Sequence, residues 1–139
     1  MMAPEVYERA RAEAPMHVQI WRPSVESSPG NASYVRINGR VVRIFRNQGG
    51  ALHWGQKISF PVSIVDRNTI PMPSGEIHHA WERIGPARFL EAFLEAWEGE
   101  VHLVRSQVAP IRHPTWHPVC GPDEKGFLCR GKKYVAQRA

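Results

Sequence analysis

Residues 34–64, YVRINGRVVRIFRNQGGALHWGQKISFPVSI, alternate apolar and polar positions over most of their length, which is the period of half-buried strands. Within them Asn38-Gly39 predicts a two-residue type I′ hairpin, because both central residues of that turn need positive φ. A turn there pairs position 37 with 40, 35 with 42, and 34 with 43. Val35, Ile37, Val42 and Ile44 then share one face, and Tyr34, Arg36, Val41, Arg43 and Phe45 share the other. A slip of one residue would exchange the two faces. The stretch KISFPVSI alternates cleanly, with Ile58, Phe60, Val62 and Ile64 on one side and Lys57, Ser59, Pro61 and Ser63 on the other. Pro61 has no N–H for a ladder bond, so this strand is expected at an edge or with a bulge. Between the two strands, the connection from Asn47 to Gln56 is glycine-rich and carries His53 and Trp54.

The rest of the chain divides into short pieces. PEVYERARAEAP predicts a helical lead-in over residues 1–15, ending at Pro15, and MHVQIW predicts a first strand ended by Pro23. ESSPGN is loop, and NTIPMPSGEIHHAWERIGP is a long irregular connection. ARFLEAFLEAW is ambiguous. Phe89, Leu90, Phe93, Leu94 and Trp97 recur at helical spacing with Arg88, Glu91, Glu95 and Glu98 opposite, so periodicity favours helix over residues 87–97. As a strand, the same residues put Leu90 and Leu94 on one face and alternate Phe with Glu on the other. EVHLVRSQVAPI predicts a strand ended by Pro110, and HPTWHPVCGPDEKGFLCRGKKYV a loop or small hairpin. The expected core is Val35, Val42, Ile44, Ile58, Phe60 and Val62, joined by Leu103 or Val104, which as neighbours cannot both point inward on a regular strand.

Length and composition place the chain as one domain, 1–139, with a barrel over 16–111 and a C-terminal extension over 112–139. At 139 residues with 42% hydrophobic positions it has the material for a core. Twelve prolines and eleven glycines, spread along the chain, favour short strands over long helices. Lys and Arg outnumber Asp and Glu by 18 to 13, giving a net charge of +5 that suits an anionic partner. Five of these cations, Lys125, Arg130, Lys132, Lys133 and Arg138, make the C-terminal extension basic. No apolar run has the length of a membrane span or the form of a signal peptide, so a cytoplasmic protein without a membrane partner is the simplest expectation. Two cysteines do not make a disulfide scaffold.

The stretch GRVVRIFRNQGGALHWGQKISFPV, with Val42, Phe45, Gly55, Ile58 and Phe60 at the matching positions, resembles the second and third strands of OB-fold barrels, particularly netrin- or TIMP-like modules. HVQIW is similar to their first strand, and ARFLEAFLEAW-EGE-VHLVRSQVAPI to their closing pair. The resemblance covers residues 16–111 and rests on hydrophobic and turn positions. It implies an all-β, five-stranded OB-like barrel, with a strand where periodicity favours helix; a helix between the third and fourth strands would fit the same fold. The disulfides of the secreted modules are missing here, so their protease-inhibitor activity does not carry over.

Three groups of residues could carry chemistry. On the predicted outer face, Tyr34, Arg36, Arg43 and Phe45 pair aromatic rings with cations, and OB-folds use such faces to stack bases and hold phosphates. The plain alternative is strand-forming side chains packed under a loop or a terminus. His113, His117, Cys120 and Cys129 are ligand types for tetrahedral zinc, although H-x3-H-x2-C-x8-C lacks a C-x2-C knuckle. The two cysteines could equally form a disulfide across a hairpin or remain thiols. His78-His79 with Glu76 and Glu82 suggests metal or acid–base work, but sequence neighbours point apart on regular structure. Trp54, Trp81 and Trp116 fall in loops, where they line a groove or anchor the loop. The chain has no G-x-S-x-G elbow, phosphate loop, dinucleotide fingerprint or H-E-x-x-H motif, so nothing in it argues for an enzyme. The expected function is therefore a non-enzymatic binding module for single-stranded nucleic acid or another polyanion. A protein-interaction or structural domain, as a homodimer burying the same face, is the alternative, and a metal-dependent enzyme using the histidines comes third.

Overall fold

The structure, a computed structural model, describes residues 4–24, 34–65, 79–119 and 136–137. Helix α1 (Pro4–Glu13) leads into β1 (Met16–Trp21), followed by β2 (Tyr34–Asn47), β3 (Lys57–Val65), the two-residue β4 (His79–Ala80), the one-turn helix α2 (Trp81–Ile84), β5 (Phe89–Trp97) and β6 (Glu100–Ile111). The fold is broadly all-β, with six strands in one sheet among the described residues instead of the five expected, ordered β4-β3-β2-β1-β5-β6. All pairings but one are antiparallel, so β3 and β6 run in the same direction. The sheet curls into a half-barrel that brings β3 and β6 into contact. β4 sits at this seam. It pairs in parallel with Ile64 and Val65 of β3, and His79 Nε2 lies 2.7 Å from the Ser106 carbonyl oxygen of β6. Among the described residues, no ladder covers the rest of β3's outer edge, the setting that Pro61 requires.

Asn38-Gly39 is not a turn. β2 runs straight through it and pairs with β3 from Tyr34↔Ser63 to Arg40↔Lys57, so the predicted pairs 37–40, 35–42 and 34–43 do not form. The glycine answers a packing demand instead. A Cβ at Gly39 would lie 2.9 Å from the Trp21 carbonyl oxygen and 3.0 Å from the Ile20 side chain of the adjacent strand. The β2–β3 connection lies at residues 48–56, where Gly49, Gly50 and Gly55 adopt positive φ. Among the described residues, the two-residue hairpin is Glu98-Gly99, between Trp97 and Glu100, with φ of 52° and 78°.

Two bulges in β2 against β1 also change which side chains point inward. Val35, Ile37 and Val41 face the core. The bulge between Val41 and Arg43 leaves Val42 half-buried, while Ile44 returns to the interior. The expectation for Val42 fails for this reason, and those for Val35, Ile44, Ile58, Phe60 and Val62 hold. Leu103 and Val104 are both half-buried, Leu103 against the main core and Val104 against a smaller cluster on the other face.

Residues 89–97 form a strand, because β5 is covered on both sides. Leu90, Ala92 and Leu94 enter the main core beside Met16, Val18 and Ile20. Glu91 and Phe93 are equally inaccessible on the outer face, where Ala12 and Ala14, at and just beyond the end of α1, pack on Phe93. A doubly buried strand loses the alternation that would distinguish it from a helix. Arg22, 1% exposed, ends β1. It donates through Nη1 to the carbonyl oxygens of Ile84 (2.7 Å), Gly85 (3.1 Å) and Ala87 (3.1 Å), fixing the turn that feeds β5.

Candidate nucleic-acid interface

The outer face of the β2–β3 pair presents Tyr34, Arg36, Asn38 and Arg40 opposite Ser63, Pro61, Ser59 and Lys57. Inward-pointing Val35, Ile37, Phe60 and Val62 enforce this orientation, since alternation sends every second side chain outward. Arg36 Nη1 donates to Ser59 Oγ at 3.1 Å, and Arg40 Nη1 to the Gly55 carbonyl oxygen at 3.0 Å, both at the surface. Trp21, paired with Arg40 across the β1–β2 ladder, brings an indole to the same place. Trp21, Asn38, Arg40, Lys57 and Ser59 line one open groove of about 650 Å³. Among the described residues, none of its lining side chains is acidic.

The four residues expected to share an open face are divided between two environments. Tyr34, 63% exposed, and Arg36 lie on the open part. Arg43 and Phe45 lie beyond the first bulge, where other parts of the chain cover the sheet. Arg43 sits under Trp116, its guanidinium carbon 4.2 Å from the ring centroid and 5.9 Å from that of Trp54. Phe45 is buried, its ring centroid 4.9 Å from that of His17, so it offers no stacking surface.

The covering segment, residues 113–119, is held by a polar cluster in the sheet. Gln19 Oε1 accepts from the Thr115 N–H at 2.8 Å, and Gln19 Nε2 reaches Thr115 Oγ1 at 2.7 Å and Glu91 Oε1 at 2.6 Å. Glu91 Oε1 also accepts from the Val119 N–H at 3.0 Å, and Glu91 Oε2 lies 3.3 Å from His17 Nε2. The His17 ring stacks on Phe93 with centroids 4.0 Å apart. Burial pushes the His17 pKa down, against the pull of Glu91, and favours the neutral ring. Burial alone would raise the Glu91 pKa, but contacts from His17, Val119 and Gln19 outweigh it and hold the carboxyl below its ordinary range. Further out, Ala136 N–H donates to the Trp116 carbonyl oxygen and Gln137 N–H to that of Ile44, both at 2.7 Å.

His79 is tied to the β3–β6 seam, Glu82 stands on α2, and His78 and Glu76 lie outside the described residues. His113 and His117 are exposed at the surface of the covering segment, with His113 Nδ1 3.1 Å from the Pro114 carbonyl oxygen; Cys120 and Cys129 lie outside the described residues. Trp81 packs against Gly85, where a Cβ would meet its ring at 2.5 Å, and both Trp54 and Trp81 lean on the main core.

Sequence reasoning missed Trp21, Arg40 and Lys57. The signal was present in the KISFPVSI alternation, which put Lys57 outward, but the false turn at Asn38-Gly39 removed β2's true partner. It also missed the Gln19–Glu91–His17 cluster, since polar residues in a strand read as solvent-facing. Compared with the models of known protein families, the chain matches none, and no curated protein matches it in sequence.

Proposed function

We propose that the outer face of β2 and β3 binds single-stranded nucleic acid or a related polyanion, and that the protein is a binding module built on an OB-type barrel. The observation that carries this reading is the convergence of Trp21, Arg40 and Lys57 on one groove with no acidic lining residue among the described residues, and with Arg36 and Tyr34 next along β2. Cations in such a groove hold phosphates, and an aromatic ring at its wall gives a base a stacking surface. The OB-type barrel is supported by the order β3-β2-β1-β5-β6, with its first and last strands running in the same direction and in contact. OB-folds use this face of their second and third strands for oligonucleotides.

The test is anisotropy titration of a labelled oligothymidylate at several salt concentrations. Wild-type protein binds, and its affinity falls steeply with salt. Arg40→Ala and Lys57→Ala each lower the log–log salt slope by about 0.7, the single-strand value per phosphate contact. Trp21→Phe weakens binding and leaves the slope alone. Protein that ignores oligonucleotides and heparin at low salt rules the reading out. If it does so while sedimenting as a dimer, the exposed Tyr34 side of the face is instead a contact between two copies of the chain.

A further inference from the structure

At the Tyr34 end of this face the surface chemistry changes. Tyr34 and Trp97 line one cleft of about 230 Å³, with Pro61, Ser63, His102 and Ser106 between them across the β3–β6 seam. Both aromatic side chains belong to residues that are 63% exposed. Trp97 is held edge-on by His102, with ring centroids 5.6 Å apart at 61°, and His102 Nε2 lies 3.7 Å from Glu100 Oε2. Glu95 lines the cleft as well, and no Lys or Arg does so among the described residues. Arg105, one residue before Ser106, lines a different groove, against α1, which Glu95 also borders. The face therefore runs from a cationic groove at Arg40 and Lys57 to an aromatic cleft with a carboxylate in its wall.

A phosphate is attracted to the first and repelled by the second, whereas an uncharged sugar and base suit the second. From Arg40 to Tyr34 the strand advances roughly 20 Å, at about 3.3 Å per residue. That matches the short end of OB-fold footprints, about four nucleotides. We propose that the Tyr34–Trp97 cleft takes the terminal nucleoside of the bound strand with its end hydroxyl unphosphorylated, so that the protein selects one free end of a single strand. The ring would stack on Trp97 or Tyr34, and Glu95 would accept a hydrogen bond from the terminal hydroxyl or a base amine. This assignment rests on the function proposed above.

The experiment uses three unlabelled oligothymidylates of equal length as competitors against a labelled one: both ends hydroxyl, a 5′-phosphate, or a 3′-phosphate. One of the two terminal phosphates weakens binding by about two- to fivefold, the range of an exposed charge pair. Glu95→Gln abolishes that penalty, so that phosphorylated and unphosphorylated strands bind the variant alike. Trp97→Ala, at an exposed position, weakens that strand by about tenfold. Equal affinity for all three strands, or a penalty that survives in Glu95→Gln, overturns the cleft assignment while binding that depends on Arg40 and Lys57 leaves the groove standing. Failure to bind any of the strands overturns both.

Discussion

His17 Nε2 lies 3.3 Å from Glu91 Oε2 with neither side chain exposed, on the side of the sheet turned away from the main core. An acid–base pair in that position makes the folded state sensitive to acid through both members. His17 has its pKa lowered on folding, so below its ordinary 6.5 the unfolded chain takes up a proton that the folded chain refuses. Glu91 is also lowered, so its contribution is present above its ordinary 4.5 and is lost as the pH falls through its folded value. The two effects have the same sign. Melting temperature should be level above pH 7, decline from about pH 6.5, and decline further below about pH 4.5. His17→Gln should flatten the upper part of that fall and Glu91→Gln the lower part. A wild-type profile that is flat from pH 4 to 7 would contradict the assignment.

Glu91→Ala should cost about 3–5 kcal/mol in chemical denaturation, because it strands the Gln19 amide and the Val119 N–H along with His17. Its additional signature is local. The Thr115 and Val119 amides should exchange faster with solvent deuterium, since they donate to Gln19 and Glu91.

Gly39→Ala should destabilise the protein by about 1–3 kcal/mol, since the new methyl group presses on the backbone of Trp21. Asn38→Ala, outward on a continuous strand, should stay within about 0.5 kcal/mol. A hairpin turn at Asn38-Gly39 would make both substitutions costly, so the pair of measurements separates the two structures.

Glu98→Asn should raise stability by about 0.5–1 kcal/mol. Glu98 holds a φ of 52° in a two-residue hairpin, where asparagine is strongly preferred. Thermal denaturation gives the answer directly, and an unchanged or lower melting temperature would count against the turn.

Val41→Ala should cost about 2 kcal/mol and Val42→Ala under about 1 kcal/mol, because only the first lies in the closed core. Equal costs, or the reverse order, would count against the inward placement of Val41.

How much of this was legible beforehand depended on how many faces of each element are buried. β3, with one side in the core and one outside, could be read residue by residue from KISFPVSI. β5 could not, because Glu91 and Phe93 are as inaccessible as Leu90 and Leu94, and burial on both sides erases the two-residue period. The glycine at position 39 was assigned to a turn, although close approach to Trp21 explains it; a sequence gives both demands the same letter. The outer site was half visible: Tyr34 and Arg36 were placed on the open face, whereas Arg43 and Phe45 were placed there only because nothing in their neighbourhood announced that Trp116 would fold back over Arg43 or that Phe45 would be buried against His17. A cover contributed from about seventy residues downstream leaves no local trace.

The order of the sheet also bears on how the chain is made. β1 is the central strand, with β2 on one side and β5 on the other, and Gln19 meets Glu91 across 72 residues. During synthesis β1 and β2 can meet early, but the second edge of β1 stays open until β5 has left the ribosome. At roughly 5–20 residues per second that interval lasts several seconds. Through it, Met16, Val18 and Ile20 have half their wall missing beside an unpaired strand edge, the kind of surface that attracts chaperones or other nascent chains. Yield in the cell should therefore depend more on chaperone supply than the stability of the finished barrel would suggest.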